Sequence, residues 1–241
     1  MVNKADGSLK LDVIDGASLQ IAKIRQSGNE VAVVSSGAIA CGKNDPLVGT
    51  TINDPQVLAA IGQPELFFAW RDALRRHSVI AGQFLTTHRM ISDRETRKTS
   101  IGSISRFMKV GVPVFNELDC LCPEEVWQIV GCGDNDRLTY HLTTGCNAIR
   151  VIFLTGTDRV YHPSGGYGLD YISPWDDDLR QQLEKVGDKK NGIGSKVGSA
   201  QKIAQQIPDV IVTIAQYDTP NIITRIISGE KIGTRISTLP E

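Results

Sequence analysis

Five short apolar runs, each closed by small or polar residues, constrain this chain more than any other feature. They are Val31–Val34, Val79–Leu85, Val112–Phe115, Val151–Leu154 and Val210–Ile214. Runs of this length suit strands buried on both faces of a parallel sheet. Stretches with helical spacing separate them. Val13, Ala17, Ile21 and Ile24 recur at intervals of four, four and three, and Gly28 is a natural stop. Asp54-Pro55 reads as an N-cap with proline at the first helical position, opening a helix that runs past Pro64 to about His77. Asp93 to about Lys109 is helix-compatible and ends at Gly111; Asp136 to Thr144 follows the same logic with Gly145 as its end. Ser173-Pro174 opens a further helix, with Asp176, Asp177 and Asp178 in its first turns where the helix dipole favours them. Pro163–Gly168 reads as loop, Asn221–Ser228 as helix and Thr234–Ile236 as a last strand. The alternation predicts one α/β domain over residues 1–241, with a mainly parallel open sheet between helix layers.

In such sheets ligands bind outside the carboxyl ends of the strands. Three runs end there in residues with chemistry. Val34 leads into Ser35-Ser36-Gly37-Ala38, whose backbone N–H groups can receive an anion, although an ordinary turn has the same composition. Phe115 leads into Asn116-Glu117-Leu118-Asp119, where Asp119 is either a ligand group or a turn-capping carboxylate. Leu154 leads into Thr155-Gly156-Thr157-Asp158. A fourth stretch, Gly131 to Arg137, sets Asp134 and Asp136 around Asn135. Two carboxylates in a dry place need a compensating cation, whereas a solvated loop with an aspartate N-cap needs none. Asn191 to Lys196 is a glycine-rich loop opening a helix, without the GxxxxGK[ST] spacing; Lys196 is either a phosphate cation or a solvated lysine.

The formal net charge is −1, so no overall basic field favours nucleic acid. No apolar run is long enough to cross a membrane and no signal-peptide pattern opens the chain, which predicts a cytoplasmic location. The five cysteines, Cys41, Cys120, Cys122, Cys132 and Cys146, are odd in number and fit a reducing compartment. Their C-x-C spacing is not that of a usual zinc site, and no metal ligands are assigned.

Taken in order, VVSSGAIACG at 33–42, FNELD at 115–119, GCGDNDRL at 131–138, FLTGTDRVY at 153–161, GIGSK at 192–196 and ISGEKIGTRI at 227–236 resemble the amino acid kinase family, and within it the glutamate 5-kinases. The resemblance spans nearly the whole chain. It implies a three-layer α/β/α sandwich that transfers the γ-phosphoryl group of Mg-ATP to the side-chain carboxylate of L-glutamate, the first step of proline biosynthesis. ATP and Mg2+ are the cofactors it implies. By resemblance, Ser36, Gly37, Asp119, Asp134 and Asn135 bind glutamate, the acidic pair facing its α-ammonium. Asp136 orients the catalytic lysines and Lys196 stabilises the transferring phosphoryl group. Thr155, Gly156, Asp158, Gly192, Gly194 and Lys196 form the nucleotide side. A homo-oligomer and feedback by proline are further expectations.

Several positions depart from the family pattern. Leu118 stands for the usual asparagine, Gly156 for an aspartate and Arg159 for a glycine, and the glycine-rich loop before Lys196 is shortened. Met1 to Ser8 resembles the segment that follows the family's first strand and glycine–serine phosphate loop, so that strand and its catalytic lysine are not found here, and neither Lys4 nor Lys10 is assigned their role. The RNA-modification-type domain that follows the kinase in many bacterial relatives is also not found. These departures motivate a second expectation, a non-catalytic relative that binds glutamate or proline or serves as an assembly partner. An acetylglutamate or uridylate kinase is a third, against which GDNDRL argues.

Overall fold

The computed structural model describes residues 7–49, 51–87, 90, 93–121, 135–186 and 192–239. The chain divides into two compact units, Met1–Leu138 and Thr139–Glu241.

In the first unit, β1 (Val33–Val34), β2 (Ala81–Thr86) and β3 (Val112–Glu117) form a fully parallel sheet in the order β1-β3-β2. Val33 pairs with Val114 and Ala81 with Val112, so β3 is central and all six of its residues are buried. Among the described residues, the helices α1 (Leu11–Gln26), α2 (Ala38–Lys43), α3 (Pro55–Arg76) and α4 (Arg94–Val110) accompany this sheet. α1 presents Ala17, Ile21 and Ile24 inward, as the spacing predicts, together with the fully buried Ile14. Asp54 caps α3 by accepting from the backbone N–H of Gln56 at 2.8 Å and of Val57 at 3.2 Å. Asp93 caps α4 through the N–H of Thr96 at 2.9 Å. α2 lies against α3 through Gly42 and Gly62; a Cβ on either glycine would overlap backbone atoms of the other helix.

A short 3-10 turn, Asp119–Leu121, follows β3. α5 (Asn135–Cys146) contains the boundary between the units. It runs through Gly145, the expected end, and stops before Asn147, whose φ of 51° supplies the left-handed residue instead.

In the second unit, β4 (Arg150–Thr155), β8 (Ile211–Gln216), β9 (Thr234–Ile236) and β7 (Tyr171–Ile172) form a mixed sheet in that order, with only β8–β9 antiparallel. β5 (Val160–Tyr161) and β6 (Gly168–Leu169) form a hairpin around the predicted loop. α6 (Asp177–Val186) starts three residues later than Pro174 suggests, because Asp176 is its cap: Oδ1 accepts from Leu179 N at 3.0 Å. α7 (Ile193–Gln206) and α8 (Ile222–Ile227) complete the unit. Its core gathers Val160, Val197, Ile203, Val212, Ile214 and Ile236, all fully buried. The strands thus hydrogen-bond into two principal sheets, one in each unit. No described helix is long and apolar enough to cross a membrane. Cys41, Cys120 and Cys146 are free thiols, and burial pushes that of Cys41 up to about 11.

Candidate functional site

The described residues expected on the acceptor side belong to the first unit. β1 stops at Val34, and the N–H of Ser35 makes its last backbone bond, to Phe115 O at 2.9 Å. Ser35 is buried, and its Oγ accepts from Trp70 Nε1 at 2.9 Å. Ser36 is exposed beside it. Gly37 then turns the chain into α2 with a φ of 121°, a conformation that side chains other than hydrogen rarely tolerate. Adjacent strands therefore end together, one in Ser36-Gly37 and the other in Asp119.

The end of β3 is acidic and buried. Asn116 is 6% exposed, Glu117 4% and Asp119 4%. Burial pushes the Asp119 carboxyl up to about 7, and the neighbouring charge of Glu117 adds to it. Among the described residues, neither Asp119 Oδ1 nor either polar atom of the Asn116 amide has a hydrogen-bond partner. Buried polar groups are nearly always partnered, so this cluster is built to receive one. An ammonium would satisfy Asp119 Oδ1 and Asn116 Oδ1, whereas Asn116 Nδ2 calls for an acceptor such as a carboxylate oxygen. Asn116 was not singled out by its sequence context, since asparagine after a strand is ordinary turn chemistry; its burial reveals it. Gln63 joins the same region from α3, donating Nε2–H to Glu117 O at 2.7 Å.

Asn135 and Asp136 open α5 and are half-buried, and Asp136 lies in the first turn where a carboxylate is favoured. Asp134 lies outside the described residues, as does the Gly131–Gly133 segment before it.

The residues expected on the nucleotide side belong to the second unit. Thr155 ends β4, opposite Gln216, and its carbonyl accepts from Tyr217 N at 3.0 Å. Gly156 is exposed, and a Cβ there would have Tyr217 Cε1 as its nearest neighbour at 3.8 Å. Asp158 is exposed and held below its ordinary range, chiefly by the Tyr161 hydroxyl, which donates to Oδ1 at 2.8 Å, and also by Arg159. Arg159 pairs in addition with Asp170, and its side chain lies over Gly168, where a Cβ would overlap it. Gly192 has a φ of 63° and opens α7. Gly194 packs on Glu184 in α6, whose backbone lies 3.2 Å from a would-be Cβ, a tight fit for any larger residue. Lys196 lies in the first turn of α7, with Nζ 6.0 Å from the centroid of the Phe153 ring. Phe153 and Thr155 alternate onto the same face of β4, so the structure brings Lys196 to the strand that ends in Thr155.

Among the described residues no group of three His, Cys, Asp or Glu side chains converges.

The sequence profile of the amino acid kinase family matches residues 2–213. The glutamate 5-kinase of Methanosarcina mazei is 30% identical over 230 residues, covering 92% of this chain and 59% of that protein. That of Trichlorobacter lovleyi is 31% identical over 242 residues, covering 95% of this chain and 62% of the relative. The chain thus spans about three fifths of the length of these relatives. Among solved structures, carbamate kinase from Giardia lamblia bound to AMP-PNP superposes with a TM-score of 0.64 at 16% identity, over 99% of this chain and 94% of that one.

Proposed function

We propose, from the premise that this chain belongs to the amino acid kinase family, that it phosphorylates the side-chain carboxylate of L-glutamate with Mg-ATP. The single observation that carries the acceptor assignment is the pair of buried side chains around the end of β3, the Asn116 amide and Asp119 Oδ1, that have no hydrogen-bond partner among the described residues. Asn116 and Asp119 together offer an amide and a carboxylate to a group that is cationic and rich in donors, as an α-ammonium is. Ser36 and Gly37, at the end of the neighbouring strand, supply donors for a carboxylate. Asp134 and Asn135 are assigned to the same acceptor, and Asp136 to orienting a lysine ammonium.

The reaction joins a carboxylate oxygen to the γ-phosphorus and breaks the bond between that phosphorus and the β,γ-bridging oxygen, leaving ADP. An anion must approach an anion, so positioning and charge stabilisation dominate. Lys196 supplies a cation for the transferring group. Thr155 and the Gly192–Gly194 loop are assigned to nucleotide contacts. Magnesium on the nucleotide phosphates neutralises charge when bound.

The test is glutamate-dependent ADP release from Mg-ATP, with hydroxylamine trapping the acyl phosphate. A glutamyl hydroxamate is the expected product. Equal turnover with N-acetylglutamate or UMP would move the acceptor assignment elsewhere. The engagement of Asp158 by Tyr161 and Arg159, together with glycine at 156, favours one second reading: an amino-acid binder without nucleotide chemistry. It requires saturable glutamate or proline binding and no Mg-ATP binding by calorimetry.

A further inference from the structure

Two buried hydrogen bonds leave the same face of α3 and end on different strands. Trp70 Nε1 donates to Ser35 Oγ at 2.9 Å, where the chain leaves β1. Gln63 Nε2 donates to Glu117 O at 2.7 Å, the last residue of β3. The two donors are seven residues apart, close to two helical turns and about 10 Å of axis. The ladder between β1 and β3 closes with the bond from Ser35 N to Phe115 O, and α3 takes over where that ladder ends. Ser36-Gly37 follows immediately on the first anchored point, and Asp119 lies two residues beyond the second. Gln63 and Ser35 also line, with Leu66, Phe115 and Asn116, the recess between α3 and the sheet.

We propose that Gln63 and Trp70 are positioning residues for the acceptor: α3 acts as a gauge that sets the loop after β1 and the loop after β3 at one separation. This rests on the acceptor reading above. The bonds suit the role because each is buried and neutral, so neither is screened by salt nor lost to water. Both anchors come from a 22-residue helix that also packs on α1 and α2, so movement of one loop alone must break a bond to a rigid element. The consequence is selective. Loosening either loop weakens the grip on the acceptor and leaves the nucleotide side untouched.

The experiment uses Gln63→Met and Trp70→Phe, which keep bulk and remove the N–H, and Ser35→Ala, which removes the same bond from the other end. Each single variant is expected to raise the glutamate KM by about 5- to 20-fold, the equivalent of one lost hydrogen bond. The ATP KM and the saturated kcat should stay within about twofold. The Ser35→Ala/Trp70→Phe double variant should be no worse than either single one, because all three lack one shared bond. An unchanged glutamate KM in folded variants, or a parallel change in both KM values, would overturn the proposal. Amide hydrogen exchange reads the loops without turnover. Trp70→Phe should speed exchange at Ser36–Ala38, and Gln63→Met at Leu118–Leu121; unaltered exchange in both overturns the gauge. A wild-type chain without glutamate turnover but with this exchange pattern would instead defeat the activity reading and leave the gauge standing.

Discussion

Gly42 of α2 and Gly62 of α3 meet backbone to backbone. A Cβ on Gly62 would overlap the carbonyl oxygen of Ala38 and the amide nitrogen of Gly42, and one on Gly42 would overlap the carbonyl of Leu58. Backbone cannot move aside as a flexible side chain can. Gly62→Ala is therefore expected to cost ~1–3 kcal/mol, as overpacking of a close contact does. Urea denaturation would show this as a lower midpoint with an unchanged slope. A midpoint equal to wild type would mean that α2 shifts freely.

Asp119 is expected to make stability and acceptor binding respond oppositely to pH. Its folded pKa of about 7 lies above the ordinary carboxylate value, because burial and then Glu117 disfavour its charge. The folded state therefore holds a proton that the unfolded state releases. The stabilisation is complete below pH about 4 and is lost as pH rises towards 7, beyond which this group adds no slope. Asp119→Asn should remove that component and stabilise the free protein at pH 8 by ~1–3 kcal/mol. Ligand-free urea titrations from pH 5 to 8 measure it.

Acceptor affinity should run the other way. Only the ionised Asp119 pairs with an ammonium, so the glutamate KM should fall by about 5- to 10-fold between pH 6 and 8. Asp119→Asn should raise the KM and flatten this profile. A profile unchanged by the substitution would take the ammonium away from Asp119.

Lys196 is testable through charge. Lys196→Met should lower kcat by ~100- to 1000-fold, the range for removing one donor to developing charge, with little change in the glutamate KM. Arginine should not restore the rate, because a planar fork replaces a point charge. A rise in KM alone would reassign Lys196 to ground-state binding.

Gly156→Asp tests whether the nucleotide side has room for the family's usual aspartate. The nearest atom to the new Cβ is Tyr217 Cε1 at 3.8 Å, an ordinary contact. The melting temperature should stay within about 2 °C of wild type, as for exposed substitutions. Mg-ATP affinity, read by calorimetry, should strengthen. A large loss of stability would contradict the open geometry at this turn.

Much of the fold is legible because the signals are local. Asp54 and Asp93 cap helices through N–H groups two or three residues away, and a carboxylate before a helical pattern announces that geometry. Element ends were less legible where two residue types compete. Gly145 looked like a stop, yet Asn147 takes the left-handed turn; Pro174 looked like a first helical residue, yet Asp176 caps three residues before Leu179. In the candidate site, Asp119 was marked by its place after a strand. Asn116 was not, because only burial separates it from any turn asparagine. Gln63 and Trp70 left no trace: their partners lie 54 and 35 positions away, and no periodicity encodes a bond across that span.

Arg159 rests on Gly168 and reaches Asp170, so three positions of the β5–β6 hairpin have become mutually dependent. Replacing Arg159 with glycine would free Gly168 of its steric constraint and remove the ion pair to Asp170. The effects of substitutions at these three sites should therefore be coupled rather than additive.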